Sequence, residues 1–404
     1  MRQFFALLMI VMSLSVLAGC DPAEQTSTPD PATGNAQSSL ESPLPIGATA
    51  LSEPVDQRIV TPVPTLLAAI PTVDITPISL QNGRSFNLIM MPQDRWLDGP
   101  FAPCDLDASP DGKWAAISIG SGEGWQSVTL VDTANGHGFS VNMITQFDLR
   151  TAPVEKSTWF RGWFPDSKRV LLMSDWLEIL DIQAGERRAA TPDVGQPDHV
   201  TVTDAAISPD GQTIVYTTID GNALYLISTE GKQRITIQSP APQPGDRPEN
   251  LTWSPDGEWI AYTWDQGIAF GAGPLWLVDA SGENARQLSP SGTHEVMIAW
   301  APDSSRVLIA RRENTNDVAA DFDPTKWISD LWLASPNGEV WSQLTHLEGK
   351  SAWSPMWTPD GSAVVFMSNL SGQPEVWLIN ADGSGLRQIT FGSQMMPCAF
   401  GILS

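Results

Sequence analysis

From Ser85 onward the chain alternates short apolar runs of four to seven residues with polar, turn-rich connections. Residues 354 to 390 show the grammar most cleanly. Ser354-Pro355-Met356-Trp357-Thr358 reads as one strand, Pro359-Asp360-Gly361 as a turn, and Ala363 to Met367 as a second strand. Val376 to Ile379 follows as a third strand, Ala381-Asp382-Gly383 as a turn, and Leu386 to Thr390 as a fourth. Runs this short, bounded by Pro, Asp and Gly, predict strands rather than helices. The first turn has a clear cause. Proline presets φ for the second turn position, aspartate bonds the backbone ahead of it, and glycine accepts a left-handed conformation.

The same unit recurs. Pro-Asp pairs stand at Pro110, Pro165, Pro209, Pro255, Pro302 and Pro359, spaced 55, 44, 46, 47 and 57 residues apart. That spacing holds about four short strands with their turns, which is the content of one propeller blade. A large apolar residue follows seven positions after each proline: Ile117, Leu172, Tyr216, Tyr262, Ile309 and Phe366. Tryptophan stands two positions before it in four units, as Trp163, Trp253, Trp300 and Trp357. Residues recurring at framework positions predict packing between blades, not sugar-stacking platforms. The fold expected is therefore all-β, a six-bladed propeller of four-stranded antiparallel blades over residues 85 to 404. Ser85 to Met91 precedes the first unit and should close the ring by pairing with C-terminal strands, which leaves a degenerate seventh blade open. Met396 to Phe400 matches the start of a blade's first strand.

Ser109-Pro110-Asp111-Gly112, Ser208-Pro209-Asp210-Gly211 and Ser254-Pro255-Asp256-Gly257, flanked by apolar strands, resemble the TolB-type, WD40-like propeller repeat. Ser167 and Ser304 replace the glycine in two units, where a different turn type is expected. The resemblance implies a fold that serves as a protein-interaction module, as a gating domain of peptidases or, in some cases, as an enzyme. The small α/β domain that TolB proteins carry ahead of the propeller has no counterpart here.

A proline-rich stretch stands in that place. Residues 20 to 84 hold many Pro, Ser and Thr, and the aromatic residues resume only at Phe86. Such a composition predicts a disordered tether, with Leu66 to Ile70 as a stretch that could pack on the domain. Ahead of it, Arg2 and the apolar run Phe4 to Leu17 read as a signal peptide, residues 1 to 19, too short for a membrane span. Leu17-Ala18-Gly19-Cys20 resembles the lipobox of bacterial lipoproteins. The resemblance implies an acylated Cys20 and a lipid-anchored, extracytoplasmic protein of the bacterial cell envelope; an ordinary secretory signal is the alternative. In a Gram-negative envelope, Asp21 would resemble an inner-membrane retention signal. Cys104 and Cys398 are then the two remaining thiols, at equivalent repeat positions near opposite ends of the propeller. In an oxidising compartment they are expected to form a disulfide that locks the ring, with two buried free thiols as the alternative.

Charge excludes one class of partner. With 22 basic against 46 acidic residues, a net charge of -24, the chain lacks the basic stripe that a phosphate backbone requires, so no nucleic acid is expected. Excess acid of this kind reads as surface solubility.

Candidate chemistry is sparse. A Gly-x-Ser-x-Gly nucleophile elbow does not occur. Of the histidines His137, His199, His294 and His346, three lie in connections leading into a first strand, where His199, His294 and Glu295 would be the choice for a metal. Compact ligand spacing is missing, so they read as polar loop residues and no metal or cofactor is expected. The long insertion Arg311 to Asp330 brings Asp317, Asp321 and Asp323 together with Phe322 and Trp327. The acids match no EF-hand spacing, whereas two large aromatics in an acidic loop predict an interaction or lid element. The functional expectation is a non-catalytic propeller binding a protein or peptide at its channel mouth and inserted loop. A polysaccharide lyase or hydrolase using channel-mouth histidines and carboxylates is the alternative.

Overall fold

A computed structural model describes residues 74–90, 106–120, 126–135, 138–141, 158–192, 201–219, 223–231, 234–237, 246–265, 272–290, 292–315, 323–391 and 400–403. It is a β-propeller. Six antiparallel sheets of four strands follow one another along the chain, and a seventh of three strands joins the two ends. The first strands of the six are Leu106–Ala108, Trp159–Trp163, Val202–Ile207, Arg247–Trp253, His294–Trp300 and Ala352–Trp357. From the second blade to the sixth, each of these packs against the first strand of the next blade, so they line the axis.

The seventh sheet settles the blade number. Phe400–Leu403 lies innermost, Ser85–Met90 beside it and Asp74–Ser79 outside, with Asn87 opposite Leu403 and Pro77 opposite Asn87. The expected pairing of Ser85 to Met90 with C-terminal residues is therefore present, and the ring has seven blades rather than six. Its folded part begins earlier than residue 85, because Asp74–Ser79 belongs to the sheet. Proline disguises this strand in the sequence, yet an outer strand tolerates Pro77 because one side of its backbone needs no ladder partner. Closure demands close approach. A Cβ on Gly401 would lie 2.8 Å from the Leu106 carbonyl oxygen and 2.7 Å from Leu106 Cδ2, so only glycine fits there.

The core lies between blades. Ile117, Leu172, Tyr216, Tyr262, Ile309 and Phe366 are all buried, as their recurrence predicts. The framework tryptophans are buried too, and two tie neighbouring blades through polar contacts. Trp163 Nε1 donates to the Asp107 carbonyl at 3.2 Å, and Trp253 Nε1 to that of Ala206 at 3.3 Å. Among the described residues no helix is long and apolar enough to cross a membrane.

At one end of the propeller the Pro-Asp turns follow each other around the ring. Asp210 Oδ1 accepts from Ser208 Oγ at 2.6 Å and from the Gln212 amide at 2.9 Å, and Asp256 repeats the pattern with Ser254 and Glu258. Ser167 and Ser304 do not change the turn type. Both adopt the left-handed conformation, at φ 56 and 59, and each adds a bond between blades. The Asp111 amide donates to Ser167 Oγ and the Asp256 amide to Ser304 Oγ, both at 3.0 Å. Where glycine is kept at Gly211, with φ 68, an added Cβ would stand 3.0 Å from Pro165 Cδ of the preceding turn.

Candidate functional site

The opposite end is built differently. There the inner strands begin, and five of them carry a register shift: Val202/Asp204, Phe160/Gly162, Glu249/Thr252, Val296/Ile298 and Trp353/Met356. At three of these bulges a non-glycine residue takes a left-handed φ: Asn250 at 57, Met297 at 55 and Ser354 at 49. An extra residue bends the strand and frees an amide from the ladder. Two amides at these bulges are answered from the preceding blade. The Leu251 amide donates to Asp204 Oδ2 at 2.8 Å, and the Ser354 amide to Met297 Sδ at 3.0 Å.

Charged groups gather on this belt. Arg161 Nη1 stands 3.2 Å from Asp204 Oδ1, and the same oxygen accepts from the Ala205 amide at 2.8 Å. In the fourth blade, Arg247 Nη2 meets Asp265 Oδ2 at 3.5 Å across the first strand pair. Glu249 lies two residues along the same strand, half-buried. Burial, reinforced by the negative charges of Asp265 and Asp204, pushes its carboxyl up to about 7, against the opposing pull of Arg247 and Arg161. In the fifth blade, Arg311 grips the fully buried Glu295 through Nε at 3.1 Å and Nη2 at 2.9 Å, and its guanidinium lies 4.2 Å from the Trp332 ring centre. Burial raises the Glu295 pKa, while the bond from Arg311 works the other way.

The residues singled out in the sequence fare unevenly. Cys20, Cys104, Cys398, Asp317, Asp321, Phe322, His137 and His199 lie outside the described residues. His346 is exposed beyond the fifth blade's last strand. His294 opens the fifth inner strand, opposite Arg312, and burial together with that arginine lowers its pKa. Glu295 is engaged by Arg311, and among the described residues no three His, Cys, Asp or Glu side chains are placed to share a metal ion.

The insertion is shorter than expected, because Arg311 and Arg312 end one strand and Ser329 and Asp330 begin the next. Its C-terminal part is anchored to the propeller. Asp323 caps the short 3-10 helix Pro324–Lys326, accepting from the Thr325 amide at 3.1 Å and meeting Lys326 Nζ at 2.9 Å. Burial would raise the Asp323 pKa, but the bonds from Thr325 and Lys326 outweigh it and hold it below the ordinary value. Trp327, expected in the interaction element, is 1% exposed and belongs to the core with Leu331 and Leu347. Loop polarity misleads at this position because the loop dips into the gap between blades. Asn314 closes its base, with Nδ2 donating to the Lys326 carbonyl at 3.0 Å and Oδ1 accepting from the Ile328 amide at 2.8 Å.

The belt itself escapes sequence inspection. A usable signal is present: charged or amide residues interrupt first strands that are otherwise apolar, as Arg161, Asp204, Glu249 and Asn250.

No family model matches the chain. An uncharacterized protein of Agrobacterium fabrum is 26% identical over 140 residues, which cover 34% of this chain and 41% of that protein. The chain thus spans about two fifths of the length of that curated relative. Among solved structures, oligogalacturonate lyase from Vibrio parahaemolyticus superposes with a TM-score of 0.51 at 11% identity, covering 84% of this chain and 87% of the lyase. TolB from Acinetobacter baumannii gives a TM-score of 0.45 at 13% identity, covering 82% of each chain. At such identities the likeness to the lyase shows the propeller fold and nothing of its activity.

Proposed function

We propose that the chain is an envelope propeller, anchored through acyl groups on Cys20, that binds a protein or peptide partner at the end carrying the bulged belt. The observation behind this reading is the belt itself. Charged and amide side chains on successive inner strands are held by bonds between blades, and such pre-organisation lowers the ordering cost of recognition. The insertion after Arg312 leaves the propeller at the same end, so Asp317, Asp321 and Phe322 would extend the surface. A Cys104 to Cys398 disulfide would lock the ring.

Capture of partners from an envelope extract by the full acylated chain in mild detergent tests the reading. The variant R247A and the triple variant D317A, D321A, F322A should each lower recovery. Unchanged recovery with both would overturn it.

A lyase or hydrolase remains the second reading because one observation favours it: a carboxyl at about 7, as at Glu249, suits general acid-base work near neutral pH. The net charge of -24 would repel a polyanionic sugar such as oligogalacturonate. Release of unsaturated product from that sugar, abolished by E249Q, would decide for the enzyme.

A further inference from the structure

We propose that Asn82 is a modification site: an asparagine kept intact by the closed ring, deamidated once the seam between the chain ends opens, and unable afterwards to seal that seam. No partner or ligand takes part.

Asp74–Ser79 and Ser85–Met90 of the seventh blade form a hairpin, and its exposed tip is Asn82-Gly83. Asparagine before glycine is the pair most open to deamidation, because glycine has no side chain to shield its nitrogen. That nitrogen attacks Asn82 Cγ, a C–N bond forms, the Cγ–Nδ2 bond breaks, and ammonia leaves with the proton of the Gly83 amide. Water then opens the cyclic imide to aspartate or to isoaspartate, whose main chain runs through the former side chain. The closed seam opposes the first step at both reacting groups. The Gly83 amide donates to the Leu80 carbonyl at 3.1 Å. The Asn82 carboxamide is held from both sides, with Oδ1 accepting from the Arg84 amide at 3.0 Å and Nδ2 donating to Asp360 Oδ2 at 2.8 Å and Ser362 Oγ at 3.2 Å. To bring Cγ over the Gly83 nitrogen, Asn82 must first let go of the sixth blade.

The product cannot remake the latch. A carboxylate at position 82 offers no donor to Asp360 and sets a like charge against it. Arg84 Nη1, 3.8 Å from Asp360 Oδ2, is too exposed to offset this. A second Asn-Gly pair supplies the contrast. In Ser335-Pro336-Asn337-Gly338-Glu339, Asn337 Oδ1 accepts from Ser335 Oγ and from the Glu339 amide at 3.1 Å. Asp256 makes the same two bonds in Ser254-Pro255-Asp256-Gly257-Glu258. An aspartate therefore suits position 337, where the turn itself calls for one, and not position 82, where the neighbouring blade already supplies it.

Peptide mapping by mass spectrometry tests this on the full chain in detergent, incubated in mildly alkaline buffer. Asn82 should deamidate at least about tenfold more slowly in the native protein than in the urea-unfolded chain, since only local opening frees it. G401V, which crowds the closing strand against Leu106, should speed the reaction at Asn82 and leave Asn337 unchanged. In thermal melts N82D should lower the melting temperature, whereas N337D should not. The double variant N82D, D360N should lose less than the two single losses added, because the facing charges are then one fewer. Equal rates at Asn82 in native and unfolded protein overturn the proposal, as does a folded G401V with no acceleration there. An N82D variant that melts with wild type overturns it as well. Should G401V fail to fold, the wild-type rates and the N82D melt still decide.

Discussion

Glu249 and Ser304 show how much a single position can carry in a repeat. The Glu249 carboxyl sits above its ordinary 4.5, at about 7, so the folded state holds this proton more tightly than the unfolded chain does. Its contribution to stability is complete below the ordinary carboxyl range and is lost as pH rises toward 7. Without a partner bound, thermal melts should therefore show wild type losing up to about 3 kcal/mol between pH 5 and pH 8 through this group, and E249Q losing that much less. An equal decline in both would show that Glu249 does not titrate as described. At the turn end, S304A and S167A each remove an inter-blade acceptor while keeping a left-handed residue, and each should cost about 1 kcal/mol in denaturant unfolding. G211A should cost about as much or more, since it adds strain at φ 68 and crowds Pro165.

Elements in this fold differ in how openly the sequence announces them. A Pro-Asp-Gly turn is local: its residues, its bonds and its φ values lie within a few positions, so six turns spell out six blades. The belt is not local. Asp204 answers the Leu251 amide 47 residues away, and the polar residues that interrupt these first strands do not say which of them pair across blades. Trp327 fails to reveal itself for a related reason, because only the neighbouring blades decide that its ring lies in the core rather than in solvent. W327A should accordingly cost about 3 kcal/mol or more, the penalty of an emptied core site. The seam between the ends has its own latch. Asp360, a turn aspartate, also accepts from Asn82 Nδ2 at 2.8 Å, and Asn380 Nδ2 donates to Gln81 Oε1 at 3.2 Å. Burial would raise the Asp360 pKa, but the bonds from Asn82, Thr358 and Ser362 outweigh it and hold the group well below the ordinary value. That stabilisation is present above the ordinary carboxyl pKa and is lost as pH falls toward the depressed one. In acid titrations D360N should therefore unfold over a range less dependent on pH than wild type; identical acid curves would remove the latch from the account.

As a whole molecule, the propeller is a ring closed by its two ends. The innermost strand of the last sheet comes from the C-terminal end and the other two from residues 74 to 90, so the seventh blade is complete only when both are in place. Bulk at Gly401 would push the closing strand off Leu106, and G401V should lower the melting temperature more than G211A does. Closure also leaves the two ends of the propeller differently built, with compact turns at one and the charged belt, the proposed binding end, at the other. That division is the central claim, and site-directed photo-crosslinking tests it most directly. A photoreactive residue placed at Arg247, on the belt, should crosslink the envelope partner, while the same residue at Ser305, among the Pro-Asp turns, should not. Crosslinks from Ser305 with none from Arg247 would contradict the account.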